Sequence, residues 1–378
     1  MVATFNLFKQ TKVIIMNDQK QHPAKALARA ENFMDEFNLQ VPILLAPMPN
    51  ATPPELAAAI SNKGGMGACG ALFFGAKEIR SWVNDMRSQS NGVFQLNTWI
   101  PDPEPKRDHK GERSVCEFLE KWGPAIPAGS ADIPLVDFQE QCNAFLEAGP
   151  SVVSSIMGLY PIDFVKALKD RNIKWFAKVT TVGEAVSAEK AGADVIVAQG
   201  MEAGGHKGAF NATDAEKNMI GLFSLVPTIC DAVNVPVVAS GGVADARGIA
   251  AALTLGASAV EIGTGFLRCP EAAISKTWAD AIACTKPEDT IVTRAFSGRL
   301  GRSIRTKYAV ASVSDEAPIP APYPIQRNLT KAMRDNASKE NNIDGMQAWA
   351  GQSSSLAQGI PAGELVDRLW KGAVELIN

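Results

Sequence analysis

Eight short runs of mostly apolar residues punctuate the chain, each followed by a stretch of helical spacing, and this alternation limits the fold more than any other feature. The runs are ILLA (43–46), GMGACG (65–70), VFQLNTWI (93–100), SVVSSI (151–156), KWFAKVT (174–180), ADVIVAQ (193–199), VPVVAS (235–240) and SAVEIGT (258–264). Strands that are apolar along their whole length are buried on both faces, and helical crossovers between successive strands make them parallel. Eight such units match an α/β (β/α)8 TIM barrel better than an open doubly wound sheet. An internal echo agrees: VGEAVSAEKAGADVIVAQG (182–200) and VADARGIAAALTLGASAVEIGTG (243–265) share one order of features. Each begins as an acidic helix start and runs through an alanine-rich helix, a Gly-Ala turn and a buried strand to a glycine loop.

Two regions break the pattern. After the third strand comes an insertion, 101–135, opened by the charged, proline-rich PDPEPKRDHKGERS. From 286 to 378 the chain changes to SGRLGRSIRTKY, a proline-rich connector and terminal helices, read as a C-terminal cap over the barrel mouth. Residues 41–285 are then the barrel, and 1–40 a loosely attached lead-in without the features of a secretory signal.

Charge narrows the partners. Thirty-seven basic and forty acidic side chains give a net charge of −3 without blocks of like charge, so neither nucleic acid nor an anionic membrane is expected. Apolar stretches are interrupted well before the ~20 residues needed to span a bilayer. Six cysteines lack any C-x-x-C pair, which reads as reduced thiols in a cytoplasmic protein, monomeric or homodimeric. Three scattered histidines assemble no two-His, one-carboxylate set, so no metal is expected.

The loops leaving strands seven and eight are SGGVAD (240–245) and GTGF (263–266). In a barrel of this kind phosphate commonly sits between those two loops, where glycines let backbone N–H groups approach an anion and the next helix adds its positive end. Ser240 and Thr264 could add hydroxyls. The loop leaving strand six, AQGMEAGGHKG (198–208), places His206 at the same mouth as a base, a proton donor or a fixed positive charge. His22 and His109 lie in the lead-in and the insertion and receive no role.

Several motifs carry a resemblance. PILLAPMP, FQLNTW, FAKVTTVGEA, VIVAQGMEAGGHKG, ASGGVAD and IGTGFL, with YPIQRN (323–328) and WAGQSSSLA (349–357) in the tail, resemble class I nitronate monooxygenases, from about Pro42 to Asp367. The resemblance implies an FMN-dependent barrel that oxidises alkyl nitronates, such as propionate 3-nitronate, with O2 to carbonyl compounds and nitrite through a flavin semiquinone. By matching position, Ser240, Gly241, Gly242, Gly263 and Thr264 would hold the FMN phosphate, with Gly204 and Gly205 also at the cofactor. Met48 would pack near the ring, while Asn97, Lys178 and Gln199 would bond its polar edge. Lys178 would stabilise negative charge on the reduced ring, and a lysine left unpaired in an apolar strand would be costly. His206 would bind the nitronate or remove the α-proton of a neutral nitroalkane, while Met201, Phe266, Tyr308 and Tyr323, with Trp349, would wall the substrate pocket.

Ser240 stands where the family often has alanine, and the insertion matches no family motif. Three rival readings remain. They are an FMN-dependent enoyl-ACP reductase consuming NAD(P)H, an isomerase or lyase acting on a phosphate substrate without flavin, and a non-catalytic flavin carrier.

Overall fold

All eight runs form strands in the computed structural model, which describes residues 23–378. They are β1 (Ile43–Leu45), β2 (Gly67–Gly70), β3 (Phe94–Trp99), β4 (Val152–Ile156), β5 (Lys174–Val179), β6 (Val195–Gln199), β7 (Val237–Ser240) and β8 (Ala259–Ile262). They pair in the order β1-β8-β7-β6-β5-β4-β3-β2, every neighbour parallel. A parallel bridge from Leu44 to Met66, with Leu45 N donating to Met66 O at 2.8 Å, brings β1 against the start of β2 and completes a TIM barrel. Register then does functional work: Gln199 stands opposite Ser240, and Ser240 opposite Glu261. Three polar side chains therefore lie in a row at the carboxyl ends of β6, β7 and β8.

Part of the expected lead-in is a structural plug. Helix Pro23–Phe37 buries Phe33 and Phe37 among Leu44, Phe176, Val195 and Val238, and the Phe37 ring meets Phe176 edge-on at 5.0 Å. Alternating apolar side chains inside the barrel need a stopper to exclude water, which is why 23–37 is held firmly; residues 1–22, including His22, lie outside the described residues.

The tail likewise divides. Helix Ala362–Ile377 buries Leu365, Val366, Leu369 and Ala373 against helices Ala246–Thr254 and Pro54–Ser61. It therefore completes the outer ring of barrel helices, so the segment over the mouth ends before Pro361. The insertion joins that segment: Val115 and Leu119 of helix His109–Leu119 pack with Phe296, Tyr308, Leu329 and Met333. Asp102 also pairs with the buried guanidinium of Arg299.

A small antiparallel sheet links cap to barrel. Strands Thr290–Thr293 and Gly301–Ile304 pair with each other, and Gly301 pairs with His206 on the short strand Gly205–His206. Among the described residues no helix is long and apolar enough to cross a membrane.

Candidate active site

The carboxyl ends of the strands and the cap enclose a cavity of about 500 Å3. Met48, Lys178, Gln199, Gly204, Gly205, His206, Ser240, Gly241, Gly242, Gly263 and Thr264, from five strands (β1, β5, β6, β7 and β8) and the loops that follow them, all line it. Two glycines show why the backbone here tolerates no side chain. Gly241 has φ +106°, and a Cβ on it would stand 2.9 Å from Ala203 N; one on Gly204 would stand 2.6 Å from Gly351 N. The cap segment WAGQSSSLA is stitched to the same loops. Gly351 N donates to Thr264 Oγ1 at 3.0 Å and Ser353 Oγ donates to the Gly242 carbonyl at 2.6 Å, so Gly351 and Ser353 join the wall.

The charges in the barrel wall cancel. Lys178 Nζ reaches Glu261 Oε1 in a buried ion pair, and Ser240 Oγ donates to the same oxygen at 2.9 Å. Lys178 is thus paired, which corrects the expectation of a lone cation, and the Ser240 hydroxyl donates to the same carboxylate. Leaving one member of such a pair alone costs about 3–5 kcal/mol. The signal for Glu261 was present as a single carboxylate inside the apolar run AVEI. Nearby, Asp245 caps helix Ala246–Thr254 by accepting from Gly248 N at 3.2 Å, so a carboxylate already occupies that helix end.

Two amides serve the protein itself. Gln199 Nε2 donates to the His206 carbonyl at 3.1 Å while its Oε1 accepts from Gly208 N at 2.8 Å, bracing the loop from within the cavity wall. Asn97 donates to the Ser154 carbonyl at 3.1 Å and to Ser154 Oγ at 3.0 Å, and it stands behind the cavity wall.

His206 is held on three sides. Its ring lies edge-on to Trp99 at 4.6 Å and to Trp349 at 4.8 Å, and Nε2 is 2.7 Å from Ser297 Oγ. The Ser297 hydroxyl donates to the Arg299 carbonyl at 3.2 Å and accepts from Arg299 N at 3.3 Å. With the Ser297 proton given to the Arg299 carbonyl, Nε2 carries the imidazole proton and donates to Ser297, and the lone pair sits on Nδ1. Among the described residues Nδ1 has no partner. Burial, then the positive charges of Arg299, Arg327, Arg334 and Lys207, pushes the His206 pKa down to about 3. That shift favours the neutral imidazole, which can accept a proton.

The next residue is unusual too. Lys207, 4% exposed, donates from Nζ to the carbonyls of Met201 at 2.9 Å and Ala203 at 2.5 Å. Burial, with Arg302 beside it, brings its pKa down to about 7.

The four expected substrate-wall residues do not line the cavity. Met201 turns away, offering its carbonyl to Lys207 and Arg302. Phe266 is fully buried in the barrel core. Tyr308 donates to the Ala295 carbonyl at 3.0 Å inside the cluster joining cap and insertion, and Tyr323 packs behind Trp99 at a ring distance of 5.2 Å. Trp349, expected there, does line the wall, and Trp99, Phe73, Arg327 and Arg334 make up the rest of this side. His109 is far more exposed, 3.6 Å from Glu112 on the insertion helix, and is absent from the cavity lining.

Comparison with known proteins gives a consistent result. The family model described as nitronate monooxygenase matches residues 31–372. A probable nitronate monooxygenase from Staphylococcus saprophyticus is 34% identical over 352 residues, covering 90% of this chain and 97% of that protein. Among solved structures, nitroalkane oxidase from Streptomyces ansochromogenes superposes with a TM-score of 0.83 at 31% identity, covering 91% of this chain and 98% of the other. FabK from Thermotoga maritima gives 0.72 at 27% identity, with coverage of 92% and 96%.

Proposed function

The chain belongs to the nitronate monooxygenase family, and from that premise we propose that it oxidises alkyl nitronates with O2 to a carbonyl compound and nitrite, using bound FMN. The residues present fit such a group. The cavity size suits a mononucleotide, and Gly204, Gly241 and Gly242 line it with backbone packed so closely against Gly351, Ala203 and Glu202 that a side chain there would force the loops apart. Backbone N–H groups of the Gly241 and Gly263 loops, with Thr264, would hold the phosphate, while Met48 and the Lys178–Glu261 pair would face the ring. When bound, FMN supplies the electron-accepting chemistry.

The observation that carries the reading is the state of His206: neutral, with Nδ1 free of protein partners and the ring clamped between two tryptophans. Nδ1 takes the α-proton of a neutral nitroalkane, and Ser297 holds the ring while Nε2–H stays bonded. The cations that lower histidine basicity also favour the nitronate anion that proton transfer creates. A preformed nitronate needs no such transfer. Trp99 and Trp349 give the cavity apolar walls beside His206, where charge interactions act more strongly than in water.

The test is to purify the protein, identify the chromophore released by heat, and measure O2 uptake and nitrite with ethylnitronate. FMN with stoichiometric nitrite is the expected result. A colourless protein, or rapid anaerobic reduction by NADH with none by ethylnitronate, overturns the reading.

A further inference from the structure

Neutralising Lys178 uses only half of the carboxylate that does it. Glu261 is 1% exposed and lines the cavity, and both donors that reach it, Lys178 Nζ and Ser240 Oγ, converge on Oε1. Among the described residues its other oxygen, Oε2, meets no donor. Lys178 Nζ likewise bonds Glu261 alone, so two of its three protons remain free. The side-chain amides expected beside this pair are committed to the protein: Gln199 braces the His206 carbonyl and Gly208 N, and Asn97 holds Ser154 behind the wall. The register of β7 on β8 sets Ser240 opposite Glu261, where its hydroxyl anchors the carboxylate.

We propose that Glu261 is a cofactor-binding residue, accepting through Oε2 the N3–H of the FMN ring while Lys178 donates to the carbonyl beside it. This rests on the FMN reading above and names the residue that recognises the imide edge of the ring. Three physical arguments support it. A carboxylate oxygen inside a protein costs free energy until a donor meets it, and the neutralisation of Lys178 already ends at Oε1. An ammonium and a carboxylate side by side offer one donor and one acceptor, which complements a carbonyl next to an N–H, and N3–H is the only hydrogen-bond donor on the oxidised isoalloxazine ring. Two donors anchor Oε1, so Oε2 is held in place before the ring arrives and binding forfeits little side-chain freedom.

The experiment reconstitutes the full chain with FMN or with 3-methyl-FMN, whose N3 carries no proton, and measures both dissociation constants by flavin fluorescence. Wild type should bind 3-methyl-FMN about 30-fold more weakly than FMN, the loss expected for one hydrogen bond to a charged group. In Lys178→Met combined with Glu261→Leu, which exchanges the pair for apolar side chains of similar volume, that difference should shrink below about threefold. The bulk of the methyl group acts on both proteins alike, so a difference that persists in the double variant overturns the proposal, as does equal binding of the two flavins by wild type. If the double variant does not fold, NMR of wild-type holoenzyme carrying nitrogen-labelled FMN decides: an N3 proton well downfield of its position in free FMN supports the bond, and one at or upfield of that position overturns it. A wild type that binds no FMN fells the flavin reading itself, whereas FMN bound without preference for N3–H strikes the Glu261 assignment alone.

Discussion

The barrel wall and the cap wall of one cavity are built by opposite means. The barrel wall presents bare backbone at Gly204, Gly241 and Gly242, and its one buried cation, Lys178, is cancelled by Glu261. The cap wall presents aromatic rings, Ser297 as partner of the His206 imidazole, and two guanidiniums that no carboxylate hydrogen-bonds. A wall of that first kind suits a ligand that stays, because its charge balance and shape are complete before binding. The second suits a ligand that comes and goes, because its electrostatics are completed only on arrival.

That contrast breaks most visibly at Gly241. Gly241→Ala forces a side chain into a left-handed backbone and against Ala203 N at 2.9 Å. Purified Gly241→Ala should retain less than about a tenth of the wild-type FMN, measured by absorbance after heat release, since the strain and the clash act together. Normal FMN content would remove the cradle from the account.

The next largest effect is on stability. Glu261→Gln leaves Lys178 buried without its counter-ion and should lower unfolding free energy by about 3 kcal/mol in denaturant titration. Lys178→Met combined with Glu261→Gln should recover most of that loss. Additive losses in the double variant would mean that the pair is not the unit that matters.

Ser297→Ala probes the cap wall more gently. Without its acceptor, the imidazole loses the bond that keeps the proton on Nε2. Loss of such an orienting partner should lower kcat/KM for nitroethane by about tenfold and leave ethylnitronate nearly unchanged. Equal effects on both substrates would assign Ser297 a purely structural part.

The smallest effect is in pH. Burial and the neighbouring cations push the His206 pKa down to about 3 in the folded chain, against an ordinary value of 6.5. Its basic form is therefore present throughout the neutral and mildly acidic range, and nitroethane kcat/KM should show no inflection near pH 6.5. The stability sign follows from the same shift. Between about pH 6.5 and 3 the unfolded chain binds a proton that the folded chain refuses, so this residue lowers stability as pH falls through that window. A rate profile bending at 6.5 would place the imidazole in water.

How much of this was legible depended on which wall a residue belongs to. The barrel strands and the glycine loops at 240–245 and 263–266 follow from local pattern, because period, turn chemistry and strand order all act over a few residues. Lys178 was visible as a charge in an apolar run, and Glu261 carried the same signal in β8, yet nothing local reveals that β5 and β8 meet inside the barrel. Ser297 and His206 are separated by 91 positions and meet only because the Gly301–Ile304 strand pairs with Gly205–His206. Tyr308 and Tyr323 were drawn to the pocket by residue type, whereas packing sends them behind it, and Arg327 was passed over inside a motif noted only for its likeness. The lead-in helix was missed because its apolar stripe makes sense only against an open barrel end.

The central claim is that His206 acts as a base on neutral substrate, and the ratio of nitroethane to ethylnitronate turnover in His206→Asn tests it most directly. The account predicts that kcat/KM for nitroethane falls by about a thousandfold while that for ethylnitronate falls less than about tenfold. Equal losses on both substrates, or retained activity with nitroethane, would contradict it.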